Sequence, residues 1–129
     1  MAAKRQRLRI STRWLAVIFL TLIAREGLAE ETRFVLVNAT HYPIRELVLS
    51  PHDLSAWSAN VLRAPILKPA ETREVSFLSN FADCNQDLKV VFDDDASLAI
   101  WQYLNMCNLK KIRLHFDRTS GISTASYEE

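Results

Sequence analysis

Glycine is scarce in this 129-residue chain: Gly27 and Gly121 are the whole complement. With no G-x-S-x-G elbow either, a hydrolase built on a glycine-lined oxyanion loop is disfavoured. Cysteine is as rare, with only Cys84 and Cys107. There is no C-x-x-C, and the three histidines do not sit at ligand spacing around the thiols, which argues against a metal or redox pair. No apolar run approaches the roughly 20 residues of a membrane-spanning helix. The run Trp14 to Ala24 (WLAVIFLTLIA) has 11 residues. No cysteine comes directly after it, so a lipid-anchored form is not expected. No Arg-Arg pair precedes it, which favours the general secretion route over a twin-arginine route. Internal repeats, low-complexity segments and strong helical periodicity are also missing.

What is present begins with an export signal. Lys4, Arg5, Arg7, Arg9 and Arg13 form a basic start ahead of the apolar run. Gly27 and Ala29 then place small residues three and one positions before a cut between Ala29 and Glu30. Residues 1–29 therefore read as a signal peptide, and the protein is expected to be periplasmic or secreted. An uncleaved anchor is the competing reading and the one expected route to membrane contact. Of 16 basic and 15 acidic side chains, the signal holds six and one, leaving 10 and 14 and a net charge of −4. An acidic domain with no basic stripe is not expected to bind nucleic acid.

Residues 30–129 then form a single domain of 100 residues. An even cysteine count in an exported chain reads as a Cys84–Cys107 disulfide. Strand patterns dominate. Arg33 to Asn38 and Ile44 to Ser50 suggest a first hairpin around the NATHYP turn. Pro51 to Leu62 is a long connection in which Leu54, Trp57 and Val61 recur at helical spacing. Pro65 and Pro69 bracket an extended linker or edge strand. Glu71 to Leu78, Leu88 to Phe92, Ser97 to Tyr103 and Lys110 to Asp117 read as strands. Leu98, Ile100 and Gln102 are placed on one face, with Ala99, Trp101 and Tyr103 on the other. Ile122 to Ser126 suggests a short last strand, within a partly flexible tail over 120–129. The pattern predicts an all-β, antiparallel β-sandwich or small barrel of six to seven short strands. The disulfide would clamp the open end of the 88–103 hairpin.

The order V-N-x-T (Val37 to Thr40), L-x-x-S-P (Leu47 to Pro51), Trp57, Val61-Leu62 and C-x-x-D-L-K-V-V-F-D-D (Cys84 to Asp94) resembles a family of small uncharacterised exported proteins of alphaproteobacteria and their relatives. The resemblance covers nearly the whole mature chain. The family pattern has glycine where this chain has His41, Ser58 and Asp95, so these turns either carry a backbone cost or take other forms. Asn38-Ala39-Thr40 fits a glycosylation sequon, but the bacterial resemblance makes it a turn.

No constellation assembles a catalytic, metal or cofactor site. Ser50, His52 and Asp53 are the residue types of a hydrolytic triad, but triad members meet in space rather than along the chain. Asp93, Asp94 and Asp95 point in different directions and lack an oxygen-rich calcium loop. His41 and His115 share a site only if the fold joins them. Trp57 is expected to plug one end of the sandwich, with a partner or sugar anchor as the alternative. Trp101 is expected in the core. The expectation is a non-enzymatic binding or interaction domain of the cell envelope, for a protein or glycan partner. Trp57, His52 and Asp53 are the candidate contact residues. The alternatives are a small metal-dependent or hydrolytic periplasmic enzyme using the 50–53 loop or the 93–95 turn, and a purely structural envelope component.

Overall fold

A computed structural model describes residues 30–63, 65–79 and 84–129. Residues 1–29, on which the signal-peptide and uncleaved-anchor readings fall, lie outside the described residues. Seven strands follow in chain order: β1 (Glu30–Asn38), β2 (Ile44–Pro51), β3 (Thr72–Ser79), β4 (Asn85–Phe92), β5 (Leu98–Asn105), β6 (Lys111–Asp117) and β7 (Ile122–Glu128). They form two sheets, β3-β1-β6-β7 and β2-β4-β5. The fold is an all-β sandwich. Among the described residues no helix is long and apolar enough to cross a membrane.

Period-two alternation sends Phe34 and Leu36, Leu47 and Leu49, and Ile112 and Leu114 into one core between the sheets. Phe92 is at its centre, stacked on Phe116 with centroids 5.4 Å apart. Trp101 is buried as expected, and its indole N–H donates to the Thr124 carbonyl at 2.7 Å. That bond, with Ser123 Oγ donating to the Ile100 carbonyl, ties β5 to β7 and closes one side of the sandwich.

Two sequence expectations need correction. β1 and β2 are not a hairpin: β1 pairs with β3 and β6, while β2 crosses to the other sheet and pairs with β4. The β1–β6 pair is parallel, so the first sheet is mixed rather than antiparallel. Alternation along a strand does not encode its partner, which is why neither was legible. The strand expected over Ile122 to Ser126 is present and runs on to Glu128, pairing with β6 from Ile122–Asp117 through Glu128–Lys111.

The disulfide joins Cys84 and Cys107, with Cα atoms 5.2 Å apart. It sits beside the Asn85–Asn105 pair at the base of the β4–β5 hairpin, as the sequence implied. Of His41, Ser58 and Asp95, only His41 takes left-handed backbone, at φ 75°. In the 93–96 turn that conformation falls one residue late, on Ala96.

Candidate functional site

The sequence-flagged residues His52 and Asp53 meet two others at the end of the β2-β4-β5 sheet. Pro51 ends β2, and a turn over 52–54 follows. His52 Nδ1 lies 2.8 Å from Asp87 Oδ1, and Nε2 lies 3.1 Å from Asp53 Oδ2. Asp87, on β4, is buried. Its carboxylate also accepts the backbone N–H of Asp53 at 3.1 Å and that of Tyr103 at 3.0 Å. Burial pushes the Asp87 carboxyl up, but the hydrogen bonds from His52 and the two amides outweigh it and hold the group below its ordinary value.

Tyr103 is in this cluster because β5 bulges. Gln86 pairs with Leu104 and Leu88 with Trp101, so Gln102 and Tyr103 together oppose Asp87. Tyr103 takes φ 64°, a conformation unfavourable for a bulky residue. The extra residue turns its ring outward, 61% exposed, and lets Leu104 take the core position instead. The expected placement of Tyr103 with Ala99 and Trp101 therefore fails after Trp101. The Tyr103 and His52 rings lie 4.1 Å apart. Leu54 follows in the turn, 67% exposed.

Trp57 does not plug the core. The chain over 55–61 is not helical, because β2 recruits it. The Ser58 and Val61 amides donate to the Leu49 and Leu47 carbonyls, while Ser58 Oγ and Asn60 Oδ1 accept the Leu49 and Leu47 amides. This extended segment covers the edge of β2, and Leu67 pairs with Ile44 further along it. Only Val61 of the supposed helical face packs on the core. Trp57 is half-buried outside it, with Lys89 Nζ 4.5 Å from its ring centroid.

The other flagged residues are divided between structural tasks. Ser50 is buried, and its hydroxyl accepts the Ala56 amide and donates to the Pro51 carbonyl. Among the described residues the three aspartates of the 93–95 turn form no metal-ligand group; Asp94 and Asp95 both lie against Arg118. Asp94 forms a bidentate pair with Arg118, and Asp95 binds the Ser97 hydroxyl and amide. Arg118 holds the Asp94 carboxyl below its ordinary value. The Arg118 guanidinium lies 3.5 Å from the centre of the Tyr42 ring, so this turn is fastened to the body of the sandwich. His41 and His115, distant in sequence, line one open cavity of about 250 Å³ with Asp117, Ser120 and Thr124. Among the described residues the one group of three potential metal ligands is His52, Asp53 and Asp87, not this pair. Sequence reasoning set Asp87 aside as a carboxylate too far from the 93–95 turn, and missed Tyr103. An aspartate directly before the apolar run L-K-V-V-F was the available signal.

The class these features define is a small disulfide-bonded β-sandwich, and the disulfide indicates an oxidising compartment. The chain is similar in structure to a protein from Eubacterium rectale solved by NMR, with a TM-score of 0.51 and 13% identity, over 82% of this chain and 95% of that one. At that identity the likeness is one of fold. No family model and no curated protein matches the chain.

Proposed function

We propose that this protein is an exported, non-enzymatic interaction domain of the cell envelope, working in the periplasm or outside the cell after cleavage near Ala29. Its contact surface is the 52–54 turn and Trp57 together with Tyr103. The observation that carries this reading is the β5 bulge. A tyrosine is held at positive φ and turned to solvent by a buried carboxylate, although a regular strand would have placed it inward. Strain of this kind is characteristic of functional surfaces. Tyrosine is suited to the role, since it offers a large rigid face and a polar tip. His52, Asp53 and Leu54 flank it, and Trp57 follows in the same connection. The partner class that fits is an envelope protein or a glycan.

The experiment compares the mature domain with Tyr103→Gly. Glycine fits φ 64° without strain, so thermal stability should hold within about 1 kcal/mol. Saturable binding to envelope components should fall at least tenfold. Loss of stability with unchanged binding would mean that Tyr103 serves the fold alone. Absence of any saturable binding by the wild-type domain would favour a purely structural envelope component.

A further inference from the structure

We infer that His52 and Asp53 form a binding site for a divalent transition-metal ion of the zinc type, with Asp87 as its positioning residue. This goes beyond the interaction reading and does not depend on it. Potential ligand atoms of the three residues all lie within 4.8 Å of one another. They do not play equal parts. Asp87 is buried, and its oxygens are already engaged by His52 Nδ1 and by two backbone amides. It fixes the imidazole through Nδ1. The other ring nitrogen, Nε2, is left facing Asp53, whose carboxylate is largely solvent-accessible. A histidine pinned through one nitrogen by a carboxylate, with its second nitrogen beside another ligand, is the usual carboxylate–histidine–metal arrangement.

The distances fit. An ion bound tetrahedrally at about 2.1 Å from two ligands holds them about 3.4 Å apart. Nε2 and Asp53 Oδ2 are 3.1 Å apart, so a small rotation of Asp53 admits the ion. Side chains adjacent in sequence usually diverge. Here they converge because Asp53 takes φ 66°, which folds its carboxylate back beside the ring. The Tyr103 ring near His52 limits movement of the imidazole. The ion takes the Nε2 lone pair, and any proton held between Nε2 and Asp53 passes to water. Water completes the coordination. One imidazole and one carboxylate suit zinc and its neighbours rather than magnesium or calcium, which prefer oxygen alone.

Calorimetric titration of the untagged, oxidised mature domain with zinc chloride and, separately, magnesium chloride tests this. The expected result is one zinc per chain and no magnesium binding. His52→Ala and Asp53→Asn should each weaken zinc binding at least tenfold. Asp87→Asn should weaken it about 10–100-fold in protein that remains folded by circular dichroism. Unchanged affinity in Asp87→Asn would overturn the positioning role. Should that variant not fold, His52→Ala and Asp53→Asn together decide the site. No saturable zinc binding, or zinc binding indifferent to both His52→Ala and Asp53→Asn, would overturn the proposal. None of these outcomes bears on capture of a partner by Tyr103, which the Tyr103→Gly comparison reads separately.

Discussion

Asn38 shows what a single residue can carry. Its side chain is fully buried, and its amide nitrogen faces the carbonyls of Tyr42, Leu67 and Lys68 at 2.8, 3.2 and 3.2 Å. Its amide oxygen accepts from the Thr40 amide and hydroxyl. The V-N-x-T motif is thus a buried polar knot joining the β1–β2 turn to the 67–68 segment, which explains why a sequon-like triplet lies inside the fold. Asn38→Ala strands several buried groups and should cost about 2–4 kcal/mol, read from urea unfolding. Asp87 gives a second residue-scale prediction. Its folded-state value lies below the ordinary 3.8, so its contribution is present above that pH and is lost as pH falls through the folded value. The urea midpoint of the wild-type domain should therefore drop below about pH 4, and Asp87→Asn should make that drop shallower. Equal acid sensitivity in the two proteins would contradict the assignment. Asn38 was legible only as a turn residue. Asp87 was passed over because its partners, His52 and Tyr103, come from other elements.

Among the elements, alternation placed β6 and the start of β5 correctly, because those strands bury one face and expose the other. β4, buried on both faces over Gln86 to Leu88, was legible from its run of β-formers instead. Alternation failed where a local rule yielded to an edge or a bulge. Leu54, Trp57 and Val61 have helical spacing, but the exposed edge of β2 needs hydrogen-bond partners, and the 55–61 segment supplies them in extended form. Tyr103 continues the pattern of Ala99 and Trp101, yet the inserted residue moves it to the other face. The β4–β5 hairpin is the element in which cysteine spacing was informative. Cys84 and Cys107 flank its open end, 23 residues apart. Replacing both with serine should cost about 3 kcal/mol by the loop-entropy relation. Chemical denaturation with and without reductant measures this, and a loss well under 1 kcal/mol would show that hairpin pairing alone holds that end.

For the whole molecule, the sequence conveyed the class and the disulfide better than the topology. A chain poor in glycine, with two cysteines and many short alternating runs, specifies an oxidised β-sandwich. It does not specify that β1 lies parallel to β6, because that pairing joins segments far apart in sequence. Nor does it specify which end of the sandwich collects polar and aromatic side chains. The fold places the 52–54 turn, Asp87 and the β5 bulge together at one end, while Asp94 and Asp95 pair with Arg118 and the two exposed histidines share a separate cavity. The central claim is that the Tyr103 end of the molecule meets a partner in the envelope. The most direct test replaces Tyr103 with a photo-crosslinking amino acid in cells that export the protein, with a control at Arg113 on the exposed face of β6. A discrete crosslinked product at 103 and none at 113 is the predicted result. No product at 103, or the same products from both positions, would contradict it.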